Sequence, residues 1–179
     1  DILTILHNHQ IPMTFDEAVK QEVTHFPESP NATDRQGRVD YRDQLVVTID
    51  GEDAKDFDDA IHLGTENGQP VLYVHIADVA HYVQPNTAID AEAQKRTTSV
   101  YVVDRVVPML PFELSNGLCS LMEGQDRLTL TCKMIINEHG EVTDYAIHPS
   151  VIRSHKRLTY TLVNQLIHGK PVDLDPALQ

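Results

Sequence analysis

Leu45-Val-Val-Thr-Ile-Asp-Gly-Glu-Asp-Ala-Lys-Asp-Phe-Asp-Asp-Ala-Ile-His-Leu63 strings a dense acidic run between two apolar runs. Leu45 to Ile49 is β-branched and predicts a strand, and Ala60 to Leu63 predicts the next. Between Asp50 and Asp59 stand six acids and one lysine, Lys55. Such a run is ordinarily a solvated face, and an exposed acidic loop is the competing reading. Here core strands flank it on both sides, and Phe57 sits among the acids. Carboxylates held there repel one another and lose hydration. Either one of them takes up a proton or a divalent cation neutralises the group. Several carboxylates favour the cation, and hard oxygen ligands suit Mg²⁺ or Mn²⁺. No Cys/His set has zinc spacing, and no register starting at Asp50, Asp53 or Asp56 completes an EF-hand loop. Asp56 and Asp58 share a face of extended chain, whereas Asp59 faces the other way. Convergence therefore needs a turn, and Gly51 offers one.

Outward from this run, Val71 to Ile76 predicts a strand that pairs with Ala60 to Leu63 around Asn67-Gly68, a strong hairpin signal. Leu128 to Ile136 and Val142 to Ile152 flank Asn137-Glu-His-Gly140 as a second hairpin. Val100 to Val103 and Val106-Val107 are β-branched, and Leu110 to Leu121 reads as irregular chain with a helical turn. Asn86 or Thr87 can cap a helix to about Arg96, and a helix over Thr159 to His168 closes at Gly169. Two short helices are predicted over 1–26, the second with a Thr14/Glu17 capping box. Pro27 to Gly37 reads as a loop or linker. A strand-rich middle with helices at both ends predicts an α+β fold, with a mixed, mostly antiparallel sheet and flanking helices.

The chain has 179 residues, 41% of them apolar, enough for a real core. No apolar run approaches the about 20 residues of a membrane helix. No basic start precedes an apolar segment, so neither a membrane span nor a signal peptide is expected. The first residue is Asp1, and the chain is expected to be a piece of a longer protein. Cys119 and Cys132 are expected to be reduced and buried, as in a cytoplasmic protein. The net charge of −13 argues against a free-standing nucleic-acid binder. The histidines read mostly as structural; His75 is expected in the core, and a cluster of His62, His75 and His81 is left open. Arg96, Arg105 and Arg127 are expected in surface salt bridges, with phosphate contact as the alternative. Asp78 and Asp90 read as structural.

The acidic run, read as Thr48-Ile-Asp-Gly-Glu-Asp-Ala-Lys-Asp-Phe-Asp-Asp-Ala-Ile61, resembles the signature of the RNB catalytic domain of ribonucleases R and II. Further blocks follow in the family's order: Val74 to Val83, Ser99-Val-Tyr101, Val107 to Pro111, Leu114 to Leu121, Asp126 to Leu130 and Ser154 to Tyr160. The Gly-Glu-Asp-Ala form is more like ribonuclease R. The resemblance covers about residues 39–169. It makes 1–38 a helical linker segment and 39–179 the amino-terminal, truncated part of the catalytic domain. It implies a hydrolytic 3′-to-5′ exoribonuclease that releases nucleoside 5′-monophosphates from single-stranded RNA with Mg²⁺, or Mn²⁺ in its place. It carries metal roles onto Asp50, Asp56, Asp58 and Asp59, the catalytic role onto Asp58, and base stacking near the RNA 3′ end onto Tyr101. Two metals about 3.5–4 Å apart could activate water and stabilise the leaving oxygen; the sequence leaves one or two open. The family's distal half, with an arginine-bearing segment, and its cold-shock and S1-type domains are missing. Most RNA contact is therefore expected outside this chain, this piece alone is expected to be weak or inactive, and apolar surface is expected where the rest would pack. The alternative from another class is a non-catalytic, acidic cation-binding interaction module.

Overall fold

The computed structural model describes residues 2–178. Helices α1 (Ile2–Asn8) and α2 (Glu17–Val23) lead to a short strand β1 (Val39–Asp40), then β2 (Val46–Asp50), β3 (Asp59–Glu66) and β4 (Gln69–Ala77). Helices α3 (Val79–Tyr82) and α4 (Ala88–Arg96) precede a small hairpin of β5 (Val100–Val102) and β6 (Arg105–Val107). A single wide helical turn, Glu113–Leu118, leads into the long strands β7 (Asp126–Ile136) and β8 (Val142–Thr159), and α5 (Tyr160–Ile167) follows. The expected α+β fold with a mixed, mostly antiparallel sheet is what forms.

The main sheet closes on itself. Strands β2, β3, β4, β7 and β8 pair antiparallel in sequence, and β8 returns to pair parallel with β2. Closure leaves these strands no open edge to pair with another chain. The length of β8 makes this work: residues 142–153 pair with β7, and 154–159 pair with β2. Two turns set the register. Asn67 and Gly68 adopt φ of 51° and 80°, the paired positive φ that a tight hairpin demands. Gly140 takes φ 79° at the second.

Alternation divides the strands into two faces. Inside the ring, Val46, Thr48, Ala60, His62, Val71, His75, Thr129, Thr131, Ser150 and Ile152 are buried. His75 is fully buried as expected, and its Nδ1 and Nε2 are hydrogen-bonded to Thr131 Oγ1 (2.7 Å) and His62 Nδ1 (2.8 Å). His81 lies elsewhere, its Nε2 3.1 Å from Asp34 Oδ1, so the three-histidine cluster reduces to a pair. The apolar core continues from Val46, Ala60 and Ile152 of the ring to Val19, Phe57, Tyr82, Ile89, Leu110, Leu114, Leu118 and Leu121.

Several local expectations are corrected. No capping box forms at Thr14: α2 starts at Glu17 after Asp16, and the Thr14 carbonyl accepts from Arg96 Nη2 at 2.7 Å. Arg96 is buried with Glu92, their side chains 2.8 Å apart, because it also bonds the Pro108 carbonyl. Arg127 is buried too, its Nε donating to the Ser120 carbonyl at 2.8 Å. Arg105 does make the expected surface pair, with Asp104. Cys119 is buried, but Cys132 is only partly so, since it lies on the outer face of β7; both are free thiols. The loop after Pro27 is pinned: Arg38 donates to Asp78 Oδ2 at 2.6 Å and to the Thr129 and Ser150 carbonyls.

Candidate active site

The acidic loop leaves β2 at Asp50 and rejoins the ring at Asp59. Phe57 turns inward and is buried, so its neighbours Asp56 and Asp58 turn the other way. Backbone contacts hold the loop in this shape. Ala54 N donates to the Gly51 carbonyl, Leu121 N to Phe57 O (2.9 Å) and Ala77 N to Asp58 O (2.9 Å). Arg157 Nη2 donates to the carbonyls of Gly51 (3.0 Å) and Glu52, and its guanidinium lies 5.2 Å from the centre of the Phe57 ring.

Asp50, Asp56 and Asp58 line one cavity of about 700 Å³, together with Asp53, Tyr101 and Phe112. A neighbouring hollow of about 350 Å³ shares Asp56, Asp58 and Tyr101 and adds the apolar Ile76, Met109 and Leu110. These two acids and the tyrosine thus stand between an acidic and an apolar chamber. Asp59, the first residue of β3, lines neither chamber, although its cross-strand partner Ile76 lines the apolar one.

Tyr101 projects from β5, is 65% exposed, and donates its hydroxyl to Asp56 Oδ2 at 2.9 Å. That hydrogen bond, then burial and the Asp56 charge, holds the phenol above its usual range. Asp58 reaches solvent, but the protein around it displaces water. Burial first, then the charges of Asp56, Asp59 and Asp50, holds its carboxyl above the usual aspartate range. The other three predicted aspartates are therefore within electrostatic reach of Asp58, although the four are far from equally exposed to the cavity.

Hard, mutually repelling oxygen donors of this kind suit a divalent cation, whose charge would offset the repulsion. Among the described residues, no three His, Cys, Asp or Glu groups yet converge tightly enough to hold a metal ion.

Sequence reasoning missed Ser120 and Arg157, which shape the loop without lining the cavity, and gave Arg127, which is buried against Ser120, a surface role. Ser120 and Arg157 carry no local signal: each meets the acidic run only through the fold.

Among the described residues, no helix is long and apolar enough to cross a membrane. Ribonuclease R of Thermotoga maritima is 51% identical over 170 residues, covering 93% of this chain and 24% of that protein. Ribonuclease R of Escherichia coli is 47% identical over 165 residues, covering 92% of this chain and 20% of that protein. The solved Mycoplasma genitalium ribonuclease R in complex with double-stranded RNA superposes with a TM-score of 0.89 at 35% identity, over 97% of this chain and 31% of that one. The chain spans about a quarter of the length of the curated relatives it matches. The model of the RNB domain matches residues 38–178, which include the acidic loop and every strand of the closed ring; the chain belongs to the RNB domain family.

Proposed function

We propose that this chain is the amino-terminal part of the catalytic domain of a hydrolytic exoribonuclease. The enzyme works from the 3′ end of single-stranded RNA and releases nucleoside 5′-monophosphates. The observation that carries this reading is the cavity that sets Asp50, Asp56 and Asp58 beside an exposed tyrosine, in a chain of the RNB domain family. An acidic chamber repels a phosphodiester, so the reading requires Mg²⁺, or Mn²⁺ in its place, held by Asp50, Asp56, Asp58 and Asp59. When bound, the ion supplies positive charge to the scissile phosphate and to the leaving oxygen.

The chain's own residues supply the rest. Asp58, whose carboxyl is held above the usual aspartate range by burial and by the neighbouring charges, accepts the proton of the attacking water. The Tyr101 ring offers a sequence-tolerant stacking surface for a base near the 3′ end. The basic surface that grips the RNA backbone lies mainly in other parts of the protein, consistent with a net charge of −13 on this part.

The test is single-turnover cleavage of end-labelled RNA by the full-length protein with Mg²⁺. Asp58→Asn should slow cleavage on the order of 10²- to 10⁴-fold and leave RNA affinity nearly unchanged. Turnover at the wild-type rate in that variant would remove Asp58 from its role. A wild-type protein that binds Mg²⁺ and never cleaves RNA would leave the cation-binding interaction module instead.

A further inference from the structure

The two residues that flank Asp56 are held by a single buried hydroxyl. Ser120 is fully buried, just after the wide turn Glu113–Leu118. Its Oγ donates to the Lys55 carbonyl at 2.9 Å and accepts from the Phe57 N–H at 3.1 Å. One proton and one lone pair satisfy both partners without conflict. Ser120 is itself fixed: its N–H donates to the Gly117 carbonyl (3.1 Å), and its carbonyl accepts from Arg127 Nε (2.8 Å). Arg127 in turn donates through Nη1 to the Asp126 carbonyl (2.8 Å) at the start of β7. The next residue, Leu121, holds the Phe57 carbonyl, and Ala77 holds that of Asp58. The chain from Lys55 to Asp58 therefore has little freedom to turn about its own axis.

We propose that Ser120 is a positioning residue for the reaction, which sets Asp56 and Asp58 toward the cavity by clamping the backbone on both sides of Asp56. The inference rests on the catalytic reading of the acidic loop. Ser120 lines neither chamber and touches no reacting atom; it acts through the two aspartates. Removing the hydroxyl would leave the Lys55 carbonyl and the buried Phe57 N–H without this partner, and the loop would have to rotate to find others. That rotation turns the carboxylates with it. Phe57 and Arg157 at the two ends of the loop would limit the movement, so the site is expected to be detuned and not dismantled.

The experiment uses the full-length protein with Ser120→Ala, Ser120→Cys, Asp58→Asn and Ser150→Ala. Ser150 is a buried serine of the ring interior and serves as the control for lost stability alone. Ser120→Ala should lower kcat and weaken Mn²⁺ binding, read by electron paramagnetic resonance, each by about 10- to 100-fold. The KM for single-stranded RNA should stay within about threefold, because RNA binding is not the function removed. Ser120→Cys keeps the volume with a poorer hydrogen-bonding group and should fall between wild type and Ala; it decides the question if the Ala variant does not fold. Wild-type kcat and Mn²⁺ affinity in a folded Ser120 variant, beside an inactive Asp58→Asn, would overturn the positioning role alone. Equal losses in a Ser150→Ala protein of the same Tm would also overturn it. An Asp58→Asn protein that cleaves at the wild-type rate would overturn the catalytic reading beneath it.

Discussion

Tyr101 combines two chemistries in one side chain. Its hydroxyl engages Asp56 while its ring stays open to the cavity. Substitutions can separate these. Tyr101→Ala removes the stacking surface, worth roughly 1–3 kcal/mol per base, and should loosen the grip on the last nucleotides, so that digestion stops at a longer end product. Tyr101→Phe keeps the ring and should preserve the product ladder while freeing Asp56. Denaturing gels of the final products check this; an unchanged ladder in the Ala variant removes the ring from its role. At this scale the aspartates were legible in the sequence because six acids between strands are chemically conspicuous. Tyr101 was legible through family resemblance alone, since a strand tyrosine is otherwise unremarkable. Ser120 and Arg157 were not legible. Their importance lies in backbone atoms 65 and 106 residues away, and no local pattern encodes such a contact.

The hairpins and capped helices are local devices, and they were readable as such. Thr87, one of the two candidate caps, accepts from the Asp90 N–H at the start of α4, and Thr159, read from the sequence as the first helical residue, accepts from the Leu162 N–H and caps α5. The closed ring is different, because its interior holds titratable groups. Burial pushes His62 down to about 4 and His75 down to about 3, the latter helped by its neighbours His62 and His148. The rings of Tyr41, Tyr73 and His148 pack around the pair. Both imidazoles are neutral in the folded ring and titrate near 6.5 when unfolded. Their contribution to stability is therefore complete above about pH 6.5 and is lost as the pH falls toward the folded values. The loss should approach roughly 1.4 kcal/mol per imidazole for each pH unit. Denaturant unfolding between about pH 7 and about pH 5 measures it. A midpoint constant over that window would contradict the buried, neutral pair.

Across the whole molecule, the ring presents an outer face that nothing in the described chain covers. Leu63, Ile76, Leu130, Tyr145 and Ile147 are exposed on adjacent strands, and Ile61, Val74, Cys132 and Ile147 align across four of them. Contiguous apolar surface of this kind is uncommon on a free-standing domain. The isolated chain should therefore bind a dye such as anilinonaphthalene sulfonate while folded, and should cleave RNA far more slowly than the full-length protein. A folded chain that neither brightens the dye nor associates would show that this face is less apolar in solution than its residues imply.

By itself, the sequence determined the α+β class, both hairpins, the extent of α4, the close of α5 and the placement of acids between two strands, because each depends on residues close together in the chain. Only the tertiary structure decided that the sheet closes into a ring, that Tyr101 stands across the acids, and that Ser120 and Arg157 grip the loop from behind. Those outcomes depend on which distant segments meet, and that is settled by packing and by the need of buried backbone groups for partners, neither of which leaves a local signature.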